Sequence, residues 1–124
     1  MRDRPTGEEL LACARRVLRE KVLPVLPGEH KHDLLMVLNA MSIAERQLHY
    51  GEAPEQQELT AISALLGESL ADPGEANRRL SRRVREGGGD PGQPQRTALF
   101  AHLRAVGRQR LLESNPKALN GAAG

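Results

Sequence analysis

His30, Lys31, His32 and Asp33 place two imidazoles, an ammonium and a carboxylate within four residues, and metal binding is the first chemistry to test there. Residues two apart on a helix diverge by about 200°. His30 and His32 therefore cannot aim at one ion, and metal pairs on helices use i, i+3 or i, i+4 spacing. His49 and His102 have no second histidine or cysteine as companion ligand at such a spacing. Helix capping or a surface position is the reading for the whole group. Ser42 and Ser63 lie inside helical patterns with no G-x-S-x-G elbow, and Gly87-Gly88-Gly89 lacks the Lys and following helix start of a phosphate loop. The residues thus suggest neither a catalytic set nor a metal nor a cofactor, and the chain is read as a non-enzyme.

Five guanidinium groups within eight residues carry the strongest chemical signal. Arg78, Arg82 and Arg85 fall along one helix face, with Arg79 and Arg83 beside it. Planar forks of this kind grip phosphate or carboxylate in pairs of hydrogen bonds. Three readings stay open: a solvated face paired with Glu residues of a neighbouring helix, a contact for a partner protein or phosphate ligand, and a nucleic-acid interface. Missing stacking aromatics and the lack of a recognition-helix motif disfavour the third.

Asn39 is a polar amide in an apolar stretch, Leu34 to Ala44. Buried without a partner it would cost about 1–3 kcal/mol, so the sequence predicts a loop or helix end fastened to it, or else a ligand. The same choice applies to Asn115 in Ser114-Asn115-Pro116-Lys117, which by itself is a helix stop. Cys13 stands among Leu10, Leu11, Ala14 and Val17 and reads as a buried small hydrophobe.

These residues must be positioned by helices. Of 48 hydrophobic residues, Leu and Ala supply 34 and Val and Ile only 8, a ratio that favours helix over sheet. Thr6-Gly7-Glu8-Glu9 has the capping-box form and opens a helix to about Val22. Leu23-Pro24-Val25-Leu26-Pro27-Gly28 ends it, with Val25 and Leu26 expected to plug an end of the core. A second helix spans about 29–50 and stops at Gly51; its apolar middle predicts a buried central helix. Pro54 begins a third helix that stops at Gly67, with Leu59, Ile62 and Leu65 facing in. Pro73-Gly74 opens a fourth with Ala76, Leu80 and Val84 as its apolar stripe. The last runs from about Gln95 to Ser114 with Leu99, Leu103, Val106 and Leu111 inward. The expectation is all-α: a four- or five-helix bundle in a single domain over 1–119, with a flexible loop about 87–94 and a disordered tail over 120–124.

The totals narrow the function classes. The longest apolar run, Leu34 to Met41, is eight residues and broken by Asn39, far short of the roughly 20 of a membrane span. The start Met1-Arg2-Asp3-Arg4-Pro5 has no secretory h-region and the lone Cys13 suits a reducing compartment, so a cytoplasmic location is expected. The near-neutral net charge of +2 conceals an asymmetry. Residues 1–74 hold 8 basic and 12 acidic groups, or −4, and residues 75–117 hold 10 and 4, or +6.

Glu29-His30, Leu35-Met36-Val37, Asn39-Ala40 and Ile43-Ala44, then Ser114-Asn115-Pro116-Lys117, form an ordered pattern with the Arg4-Pro5-Thr6 start and the Leu23-Pro24 and Pro27-Gly28 junctions. Over about residues 2–119 the chain resembles a small bacterial family encoded beside aminoglycoside-phosphotransferase-like kinases and acyl-CoA dehydrogenases. The resemblance implies an accessory protein of a hydroxyacyl-CoA kinase in levulinate-type catabolism of short acids, with no ATP site of its own. It marks Glu29, His30, Asn39, Arg46, Asn115 and Lys117 as structural or interface candidates, Glu29 and His30 as helix caps and Arg46 as partner either of Glu29 in another subunit or of the neighbourhood of Glu45. The expected partner is the kinase encoded nearby, with homo-oligomer formation and a CoA-type ligand as further partners to test. The alternative is a stand-alone helical domain that binds CoA, acyl-CoA or another anion on the Arg-rich face.

Overall fold

The computed structural model describes residues 3–121, which are mostly helical, with no strand among them. In chain order the helices are α1 (Gly7–Val17), α2 (Gly28–Tyr50), α3 (Ala53–Leu66), α4 (Pro73–Arg85), α5 (Arg96–Ser114) and α6 (Lys117–Gly121). The all-α expectation holds, with six helices. Backbone contacts divide the chain into two compact units, Met1–Gly51 with Leu112–Gly124, and Glu52–Leu111.

In the first unit, the Thr6 side chain accepts the Glu9 N–H at 3.3 Å, as the capping sequence predicts. The Glu9 carboxylate turns back to accept from the Thr6 hydroxyl and from Arg4 Nε at 3.0 Å. The helical path continues past α1 as a π-helical turn, Leu18–Val22, where the Leu23 N–H bonds the Leu18 carbonyl, and a 3₁₀ turn, Leu23–Val25. Pro24 has no N–H to continue an α-helical ladder, which is why regular geometry ends here. Gly51 closes α2 at φ 64°, a conformation that other residues adopt only with strain.

α2 departs from the expectation of a buried central helix. Leu38 alone on it is fully buried, while Leu35, Met36 and Val37 remain about half exposed. An all-round apolar helix needs neighbours on every side, and those packed against it in this unit cover only the side of Leu38. Asn39 consequently lies exposed and needs no fastening partner. Val25 is 78% exposed and plugs nothing. Cys13 is likewise exposed, because it falls on the side of α1 turned from α2.

The second unit has the core: Leu59 and Ile62 of α3, Ala76 and Leu80 of α4, and Leu99 of α5, with Leu65, Leu66 and Leu70 against it. Asp72 caps α4 by accepting the Glu75 N–H at 3.1 Å. Val84 lies beyond the buried part of its stripe. On α5 the buried face runs through Leu99 and His102, while Leu103 and Leu111, expected inside, are exposed. Between α4 and α5, turns bond Gly88 N–H to Arg83 O at 2.9 Å, Asp90 N–H to Gly87 O and Gln93 N–H to Asp90 O at 3.1 Å. Arg96 clamps the Gly89 carbonyl at 2.6 Å. Of the tail expected over 120–124, Asn120 and Gly121 belong to α6, and 122–124 lie outside the described residues.

Candidate interaction surfaces

α4 carries the Arg cluster because its N-terminal half is anchored by Ala76 and Leu80, leaving the remaining positions to solvent. Three of the five guanidinium groups have partners. Arg78 donates to Glu75 from Nε and Nη2, at 3.2 and 3.0 Å, and lies 3.8 Å from Asp72. Arg79 bonds Glu75 at 3.0 Å and Glu68 at 2.6 Å. Arg83 reaches the Gln95 side-chain oxygen at 3.2 Å, while the Gln95 amide donates to Leu65 O at 2.7 Å.

Hydrogen bonds from Arg79 and then Arg78 hold the Glu75 carboxyl below its ordinary range. The same contact with Glu75, and then that with Glu68, raises Arg79. Pairing with Glu is thus realised by Glu75 of the same helix and Glu68 of the preceding loop, not by a neighbouring helix. Arg82 and Arg85 have no hydrogen bond or ion pair among the described residues, so their donors remain available. Arg79, Arg82 and Arg83 line an open cleft of about 340 Å³ with Leu66, Glu68 and Glu86. Chemically it can take a carboxylate or phosphate against Arg82 and Arg83, with Leu66 as its apolar wall.

A second polar cleft, of about 260 Å³, lies in the first unit among Glu8, Arg15, Ser42, Glu45, Arg46 and His49. Ser42, Arg46 and His49 share a face of α2 at i, i+4 and i+7. Arg15 pairs with Glu45, whose side chain is only 13% exposed, and this bond raises the Arg15 pKa. His49 Nδ1 stands 3.3 Å from Glu8. The Ser42 hydroxyl donates to Leu38 O one turn back. Arg46 reaches the end of α5, donating from Nε to Glu113 O at 2.6 Å and from Nη2 to Ser114 O at 3.3 Å. These are the carbonyls that a helix leaves without internal partners. The ionisable groups of this cleft are thus engaged, Arg15 with Glu45, His49 with Glu8 and Arg46 with backbone carbonyls.

The six family-pattern positions are not one site. Arg46 and the Ser114-Asn115-Pro116-Lys117 turn do meet, since Arg46 holds the carbonyls directly before Asn115. The Asn115 carbonyl then accepts from Ala118 at 3.1 Å, and Lys117 opens α6. Glu29 and His30 form an exposed pair 3.6 Å apart and do not cap α2, which starts on Pro27 without a side-chain bond. Asn39 stands apart on the solvent side. No group of three His, Cys, Asp or Glu among the described residues could hold a metal ion, and no described helix is long and apolar enough to cross a membrane. Among the contacts that sequence reasoning missed are Arg15 with Glu45, Arg46 with the α5 end, and Gln95 with Leu65, all between residues thirty or more apart in the chain.

The family model of a domain of unknown function, DUF6285, matches residues 24–118, and the chain belongs to that family. No curated protein and no solved structure matches.

Proposed function

We propose that this member of the DUF6285 family is a non-catalytic accessory subunit of an aminoglycoside-phosphotransferase-like kinase that acts on short hydroxyacyl-CoA in acid catabolism. It would stabilise the kinase or complete its acyl-CoA site, with the Arg78–Arg85 face of α4 as the contact. The ordered resemblance of the sequence suggests the partner. The observation that carries the contact is the cationic cleft of α4, where, among the described residues, Arg82 has no partner and Arg83 binds a neutral amide. Cationic forks with spare donors, beside the apolar wall of Leu66, suit either a protein carboxylate or the phosphates of a CoA.

Co-expression with the kinase encoded nearby tests the reading. The two chains are expected to elute together, and kinase activity to fall when this chain is withheld. Separate elution with unchanged activity overturns it. The same cleft supports a second reading, a stand-alone domain that binds CoA or acyl-CoA. Titration of the isolated chain with CoA and dephospho-CoA separates the two, because saturable binding without the kinase favours the second.

A further inference from the structure

α4 holds a serine inside its cluster of arginines. Ser81 has Arg78 three residues before it and Arg85 four after it, with Arg79, Arg82 and Arg83 close by in the chain. At about 100° per residue, Arg78, Ser81 and Arg85 fall within roughly 60° of one another around the helix. They lie opposite Ala76 and Leu80, its buried residues. Side chains three or four apart on a helix stand about 5–6 Å from each other at Cβ. A group attached to the Ser81 oxygen is thus within reach of both guanidinium groups.

The other described serines are placed differently. Ser42 and Ser63 are half-buried and bonded, Ser42 donating to Leu38 O and Ser63 accepting from the Leu70 N–H. Ser69 and Ser114 each follow a glutamate directly, Glu68 and Glu113. Ser81 is exposed, and its hydroxyl has no hydrogen bond among the described residues. From Ser81 to Glu86 no residue is buried, Val84 being 42% exposed. This stretch can therefore unwind into an enzyme's groove without opening the core, in which Ala76 and Leu80 are the buried residues of α4.

We propose that Ser81 is a phosphorylation site and that Arg78 and Arg85 clamp its phosphoryl group. The enzyme is a serine kinase with an acidic peptide groove, complementary to a stretch, 78–85, with five arginines and no acid. The Ser81 oxygen attacks the γ-phosphorus of a nucleoside triphosphate. The new oxygen–phosphorus bond forms as the bond to the departing nucleoside diphosphate breaks, and the hydroxyl proton passes to a base of the kinase. The product brings a charge of about −1.5 to −2 and three acceptor oxygens. Arg85, without a partner among the described residues, donates to them at i, i+4, with the anion N-terminal to the cation as favourable pairs require. Arg78 donates from the other side. The phosphoryl group thereby offsets up to about two of the positive charges of this stretch, which weakens the pull of α4 on any anion. The site stands independently of the partner proposed above.

Incubation of the full chain with a basophilic serine kinase and ATP tests the site, with intact mass and peptide mapping as readouts. One phosphoryl group on Ser81 is expected, and none on the Ser81→Ala chain. The modified chain should melt about 2–4 °C above the unmodified one, the gain shrinking with added salt and disappearing in Arg85→Gln. It should also leave a phosphocellulose column at lower salt. Should Arg85→Gln block the transfer itself, Ser81→Glu is melted with and without Arg85→Gln, and a higher Tm only where Arg85 is kept supports the clamp. No incorporation, incorporation at another serine, an unchanged Tm or retention, or a gain in Tm that survives Arg85→Gln overturns the proposal.

Discussion

Arg46 in the second half of α2 donates from Nε to the carbonyl of Glu113, 2.6 Å away and 67 residues further along the chain. With the second bond to Ser114 it ties the last turn of α5 to α2, at the point where Asn115 and Pro116 turn the backbone into α6. Arg46→Met keeps the aliphatic stem and removes both bonds. It is expected to cost about 1–2 kcal/mol, the worth of charge-assisted bonds in a partly exposed setting. Arg46→Lys, a single point charge in place of a fork, recovers only part of it. Urea unfolding of the three proteins measures the difference, and equal midpoints for native and Met forms would remove Arg46 from the account of this turn.

The segment between α4 and α5 makes a sharper steric prediction. A Cβ on Gly88 would meet Arg83 Cγ at 2.7 Å and the Arg83 carbonyl at 2.9 Å, and one on Gly89 would meet Leu99 Cδ2 at 2.7 Å. Gly28 has nothing within 4 Å and heads a helix. Gly88→Ala should therefore destabilise by about 1–3 kcal/mol, because backbone cannot yield as a side-chain tip does. Gly28→Ala should stabilise by about 0.4–1 kcal/mol through the lost freedom of the unfolded chain. Thermal melts that shift in opposite directions support this packing, and a silent Gly88→Ala refutes it.

Glu75 gives the pH prediction. Its carboxyl is held below the ordinary range by Arg79 and Arg78, so the unfolded chain binds the proton more readily than the folded one. Stability from this group is full above the unfolded carboxyl's pKa and drains away as the pH falls through the lower, folded value. Glu75→Gln should flatten the acid limb of Tm against pH, and salt should weaken the native slope because the cluster is exposed. Parallel curves for the two proteins would show that the pairs contribute nothing.

Leu38 and Ile62 are the two large side chains fully buried, at 1% and 0% exposure, one in each unit. Truncation of either to Ala is expected to cost about 2–5 kcal/mol, whereas Val25→Ala, at a site open to water, should stay within about 0.5 kcal/mol. Denaturant midpoints for the three variants measure the contrast. The comparison also bears on what a sequence can disclose. The Thr6 cap, the Gly51 and Gly67 stops and the Pro73 start were legible because each depends on residues within one turn. Which flank of α2 is covered was not, because an all-round apolar helix contains no phase to say where its neighbours sit. His102 took the place expected for Leu103 for a related reason: with Leu99 as anchor, both i+3 and i+4 fit the helical period, and hydrophobicity chose the wrong one. Arg46 was legible as unusual but not as a helix clamp, since its partners are backbone carbonyls that any residue supplies.

The Arg cluster separates function from stability. Arg78 and Arg79 are engaged with Asp72, Glu75 and Glu68, whereas Arg82 and Arg85 are bound to nothing among the described residues. Loss of the first pair should change the acid melt described for Glu75. Reversal of the second, Arg82→Glu with Arg85→Glu, removes no bond that the fold uses and should leave the unfolding free energy within about 0.5 kcal/mol per site. If α4 is the contact for a partner or a phosphate ligand, the same reversal turns attraction into repulsion and abolishes co-elution with the kinase or binding of CoA. Co-purification and a melt on the same preparation give both readings at once. A charge-reversed protein that melts normally and still holds its partner would move the contact off α4.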